Sequence, residues 1–259
     1  MLIDTENPST YPNSIQKAIY QYIAEELFPV EAQIRERVIV NDIDISCAVE
    51  DYFSSYKAEP LYEQLSEIMA NHEIILYHAT KVLDPQQIRE QGLKRTEWSS
   101  YSVSLRKALA SLGAGNADIM IDCVHKEFER KYQAKDYKPQ LCFFSGLKLA
   151  HCEGSPGYDQ FCQNIGGELA RWSLGKEMPE AYQLLKDNGT PLIVKFRLPF
   201  LDIASYQQET VLRQFILYYT AKFFWKWDYA IRFDGITHTD IAPYQILELI
   251  EYDKEVDYE

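Results

Sequence analysis

His78 is the residue in this chain whose position best suits it to chemistry. It ends an apolar run of strand length, Ile74-Ile75-Leu76-Tyr77, and is followed by Ala79-Thr80, so its imidazole is expected to face a cleft rather than the middle of a core. Asp84-Pro85 then opens a short helix that stops at Gly92-Leu93. A carboxylate is offered by Gly166-Gly167-Glu168, inside a stretch from Tyr158 to Leu174 that reads as one helix with Phe161, Ile165, Leu169 and Trp172 along a face. Two glycines within a helix cost about 1 kcal/mol each against alanine, which points to close backbone packing, a kink or room for a ligand. Arg171, three residues on, offers Glu168 an ordinary surface ion pair. Thr96 to Ser104, with Tyr101 in it, reads as a polar aromatic loop ahead of a short helix from Leu105 to Leu112.

Several other chemistries find no support. None of the histidines pairs with another at helical spacing, and HxxxH and HExxH do not occur, so no metal is expected. His151-Cys152 could suit a cysteine nucleophile, but neighbours on a chain point apart and nothing marks an orienting partner. There is no GxSxG, no P-loop and no GxGxxG, which removes the commonest hydrolase, NTPase and dehydrogenase readings.

The elements that must position these residues are legible in outline. At 259 residues, with 46% apolar and 14% aromatic side chains, the chain can bury a sizeable core without a metal or disulfide staple. A formal charge of -13 disfavours broad binding along nucleic acid, though it allows a local basic groove. Five cysteines form no CxxC pair and fit reduced thiols in a cytoplasm, and neither a signal segment nor a membrane-spanning run is seen. Residues 1–70 read as mainly helical, with a face at Ile15, Ala18, Ile19, Ile23 and Leu27, a break at Pro29, an ambiguous Val38 to Asp44, and helices over Ser46 to Tyr56 and Pro60 to Asn71. They carry no recognisable chemistry, so packing or docking a protein partner is their expected role. Residues 117–133 read as a helix whose charges, Lys131 among them, make a solvated face. Gln140 to Gly146 and Thr190 to Pro199 read as strands. Glu209 to Trp227 reads as an aromatic helix, Asp234-Gly235 as a hairpin turn, and residues 253–259 as a frayed acidic tail.

Strand-Tyr77-His78-Ala79-Thr80, then a helix with Ile88 in its middle and Gly92-Leu93 at its end, resembles the first motif of the ADP-ribosyltransferase fold. The likeness is sharp over about 20 residues and diffuse beyond them, by the strand and helix spacing of that motif. It implies an α+β protein with a split mixed sheet in residues 71–252, preceded by the helical region 1–70. It also implies NAD as co-substrate without a metal, with ADP-ribose passed to a protein or nucleic-acid acceptor; that no membrane takes part is expected from the apolar runs instead, none of which approaches the roughly 18 residues of a span. On that resemblance His78, Thr80, Tyr101 and Ser145 would contact NAD, and Tyr158 would be the aromatic residue that follows the second motif strand. Phe143-Phe144-Ser145-Gly146 departs from the family there, having phenylalanine where tyrosine is usual. The place of the late-strand glutamate holds Asp234, Thr237 or His238, so Glu168 or Asp234 is the candidate carboxylate. Two other readings stay open: a binding module for a protein or nucleotide without turnover, and an RNA 2'-phosphotransferase-like enzyme.

Overall fold

A computed structural model of the chain describes residues 1–33, 36, 59–133, 138–147, 161–224, 226 and 229–251. In chain order the elements are β1 (Leu2–Ile3), α1 (Asn13–Tyr22), α2 (Glu59–Met69), β2 (Glu73–Val82), α3 (Gln86–Gln91), α4 (Trp98–Ser111), α5 (Ala117–Phe128), β3 (Leu141–Phe144), α6 (Gly167–Glu177), α7 (Pro179–Asp187), β4 (Thr190–Pro199), α8 (Ser205–Phe224), β5 (Asp234–Thr237) and β6 (Ile246–Glu251). The class is mixed α+β, as the resemblance implied. The chain divides into two compact units, Met1–Ile75 with Pro199–Phe233, and Leu76–Leu198 with Asp234–Glu259. In this division residues 199–233 group with the N-terminal helices.

In the first unit α8 packs on α1 and α2. α1 buries Ile15, Ala18 and Ile19, the face its spacing predicts, and α2 buries Leu61, Leu65 and Met69 at four-residue intervals. After α1 the chain widens into a π turn at Ile23–Leu27 and tightens into a 3-10 turn at Phe28–Val30, where Pro29 lacks the N–H that a continuing helix would use. Tyr11 sits edge-on to Phe215 at 5.1 Å and to Tyr218 at 5.2 Å, and its hydroxyl donates to the Thr5 carbonyl at 2.6 Å. Such edge-to-face ring pairs explain why the aromatic helix belongs here. β1 pairs in parallel with Glu73 and Ile74 at the start of β2. The readings for Val38 to Asp44 and Ser46 to Tyr56 lie outside the described residues.

The second unit holds an open sheet in the order β5-β3-β2-β4-β6, with β2–β3, β3–β5 and β4–β6 antiparallel. Four sequence expectations change here. β2 continues through Thr80 to Val82, so His78 lies within a strand rather than at its end. Asp234-Gly235 is not a turn: both residues are in β5, paired with Phe144 and Phe143, and ladder formation overrides the turn propensity of the dipeptide. α4 begins at Trp98 and absorbs most of the expected loop, because Trp98, Tyr101 and Leu105 share a face that packs on a core including Leu109, Val124 and Phe128. α6 begins at Gly167, so the two glycines stand at its N-terminal end instead of in its interior, and Trp172 is 47% exposed rather than part of the apolar face.

α3 matches its expected signals. The Asp84 carboxylate accepts from the Gln86 N–H at 2.9 Å, and Gly92, at φ 72°, ends the helix. Leu93 and Ile241 then exchange both backbone hydrogen bonds at 2.9 Å. Arg95 adds a side-chain brace to the same loop, donating to the His238 carbonyl at 3.0 Å, to Asp240 at 3.3 Å and to Glu97 at 2.6 Å.

Candidate functional site

A cavity of about 610 Å³ opens in the second unit, walled by β2, β3, α3, α4, the turn at residues 129–133 and the start of α6. His78, Thr80, Tyr101 and Glu168 all line it, although they come from three different elements, β2, α4 and α6, and the chain between those elements is long. The His78 ring donates from Nδ1 to the Cys142 carbonyl at 2.7 Å, since a carbonyl can only accept. Burial pushes the imidazole below its ordinary pKa, although the bond to Cys142 pulls the other way, so the ring is neutral at pH 7. Nε2 is therefore the lone-pair side, suited to accept from a hydroxyl or N–H of a ligand.

That shift has a stability consequence of fixed sign. Between the lowered folded value and the unfolded value of about 6.5, the unfolded chain binds a proton that the folded one does not, so stability is full above about pH 6.5 and falls as pH drops through the folded value. Thermal unfolding measured from about pH 8 to about pH 5 is expected to show a smaller acid loss in His78→Gln than in the parent. Equal losses in the two proteins would remove His78 from the pH response.

Glu168 is in the first turn of α6 and makes an ion pair with Lys131, which also lies over the Trp172 ring at 5.4 Å. Burial disfavours the charged ammonium, but the hydrogen bond and charge of Glu168 outweigh it and raise the Lys131 pKa. The partner of Glu168 is thus Lys131 and not Arg171. Tyr101 fixes the approach to this helix, its hydroxyl donating to the Gly166 carbonyl at 2.7 Å, and burial raises the phenol so that it stays protonated. Gly166 has φ 82°, and a Cβ there would lie 2.9 Å from that of Ala170 and 3.1 Å from the Tyr101 hydroxyl. Close approach of ring, helix and turn accounts for the glycine. Cys142 shares the wall, but burial raises its pKa and leaves a thiol rather than a nucleophilic thiolate.

Two expected residues are placed elsewhere. Ser145 is fully enclosed and does not line the cavity, and Asp234 is exposed at the start of β5 and does not line it either. Tyr158, with His151 and Cys152, lies outside the described residues. Among the described residues no three His, Cys, Asp or Glu side chains are grouped to hold a metal ion, and no helix is long and apolar enough to cross a membrane. No protein-family model matches the chain, and comparison with curated proteins and with solved structures finds no match. The functional reading rests on the cavity.

The sequence reading missed four lysines of this wall: Lys81, Lys94, Lys107 and Lys131. Against them the lining carries two carboxylates, Asp84 and Glu168, so the cavity is cationic in a chain of formal charge -13. Lys131 was hidden within a run of mixed charge, and only its aromatic neighbour Tyr132 distinguished it from a solvated residue. The remaining lysines are scattered over sequence and meet only through the fold.

Proposed function

We propose that this chain binds NAD in the cavity and passes ADP-ribose from it to a macromolecular acceptor. The observation that carries the reading is the convergence of His78, Thr80, Tyr101 and Glu168 on one cationic cavity. Its volume falls within the range of small-molecule sites, and ammonium groups suit a diphosphate. The resemblance of Tyr77-His78-Ala79-Thr80 to the ADP-ribosyltransferase motif supplies the link to NAD, and the split sheet of that fold belongs to the same proposal. In this reading His78 Nε2 accepts from a ribose hydroxyl, Thr80 orients the same sugar, and the Tyr101 ring is a wall whose hydroxyl is committed to Gly166. Glu168 would face the positive charge that develops on the ribose carbon as the bond to nicotinamide breaks.

Calorimetric titration with NAD, paired with mass spectrometry for released nicotinamide, tests both halves of the proposal. No heat at millimolar NAD would end it. His78→Ala should stay folded and lose about 1 to 3 kcal/mol of NAD affinity, the scale for a lost hydrogen bond to a buried polar partner. Unchanged affinity in that variant would place the ligand away from β2.

A second reading, a binding module without turnover, is favoured by one observation: Lys131 already neutralises Glu168, and Asp234 is not in the wall to replace it. NAD binding without nicotinamide release would select this reading. The RNA 2'-phosphotransferase-like alternative calls for cleft arginines, and among the described residues the lining cations are lysines.

A further inference from the structure

The cavity wall divides by exposure. His78, Thr80, Tyr101, Lys131 and Glu168 are half-buried and form its inner part, whereas Gln87, Gln91, Lys94, Ser104, Lys107 and Ser111 are exposed and form its mouth. The mouth has two facing sources. Gln87 and Gln91 are four apart on α3, with Lys94 just beyond its end, and Ser104, Lys107 and Ser111 recur at three and four residues along α4. Those spacings put each set on a single helix face, so neutral donors and two ammonium groups converge on one opening.

Carboxylates do not cancel this charge. Asp84 is the acid of the outer wall, and its Oδ1 already accepts the Gln86 N–H at 2.9 Å. Lys107 makes no ion pair among the described residues. Lys94 meets Asp240 at 3.4 Å, with the two side chains 52% and 41% exposed, a solvent-screened surface pair that contributes little. Asp240 is not stranded if Lys94 turns away, because the Arg95 N–H at 3.0 Å and the Arg95 side chain at 3.3 Å still hold it. Lys94 is thus released by a stronger anion at little cost.

We infer that the mouth between α3 and α4 is a phosphate subsite, in which Lys94 and Lys107 take the diphosphate of a nucleoside diphosphate while its sugar and base extend to His78 and Glu168. This rests on the cavity being the nucleotide site, as proposed above, but it assigns the polyphosphate to two side chains that the motif resemblance does not touch. It also makes affinity follow the phosphates rather than the nicotinamide.

The test uses ADP and inorganic pyrophosphate as probes, so that it can fail separately from NAD turnover. Titration of the full chain at low salt should show ADP binding, with adenosine at least about tenfold weaker, since a hydrogen bond to a charged group is worth a factor of ten or more. Lys94→Met with Lys107→Met should weaken ADP and pyrophosphate by about tenfold or more and flatten their salt dependence, as expected when charge contacts are removed. Lys126→Met, an exposed lysine outside the cavity, should bind like the parent. Equal ADP affinity in the double variant and the parent would overturn the subsite, as would no binding of either probe. Nicotinamide release from NAD in the parent would stand or fall independently of both results.

Discussion

Gly92→Ala should lower the stability of the second unit by about 3 to 5 kcal/mol, among the largest effects of any single substitution in this chain. Two causes add. The residue holds φ 72° and ψ -166°, a backbone region open almost only to glycine. A Cβ there would also stand 1.9 Å from the Ile241 carbonyl oxygen, which is backbone and already bonded to the Leu93 N–H. Relief therefore requires parting Leu93 from Ile241, and with it the brace that Arg95 makes to His238 and Asp240. Because α3 forms one side of the cavity, ligand affinity should fall together with stability. Gly115→Ala is the matched control, since its added carbon meets nothing within 4 Å. Urea unfolding of the two variants should separate them clearly, and a Gly92→Ala midpoint equal to that of Gly115→Ala would show that the loop has room to shift.

The Gly-Leu pair was readable as a helix end from sequence, but not the reason it must be glycine, which is a backbone oxygen 149 residues further along the chain (241 − 92). The same contrast recurs through the molecule. Local signals placed α1, α3, β3 and β4, because each is set by apolar spacing or by caps within a few residues. Long-range pairing decided the rest. Asp234-Gly235 has turn chemistry yet lies in β5 because β3 offers it a ladder, and the serine-rich start of α4 is helical because Trp98 stacks on His125 at 4.3 Å. At the site, His78 with Thr80 was found from a single stretch of chain. Lys131 beside Glu168 was not, as no local pattern says which of several charged residues on a helix turns inward.

That pair makes the catalytic proposal testable at one atom. Glu168→Gln preserves shape and can still receive a hydrogen bond from Lys131, but it removes the charge that would face the cationic ribose centre. If Glu168 acts electrostatically, nicotinamide release should fall by a factor of about 100 or more, roughly 2.7 kcal/mol, with NAD affinity little changed. The neighbouring ammonium sharpens the contrast. With Glu168 uncharged, the Lys131 charge is uncompensated and would itself oppose a positive centre nearby, so turnover should suffer more than from loss of the carboxylate alone. Lys131→Met together with Glu168→Gln should then recover part of the loss, a non-additive pattern expected of side chains in contact. Asp234→Asn, exposed and outside the cavity wall, should turn over like the parent. A Glu168→Gln protein that releases nicotinamide at the parental rate would remove this carboxylate from the mechanism. Absence of release from the parent, with NAD still bound, would leave the Lys131–Glu168 pair as a fixed part of a binding site.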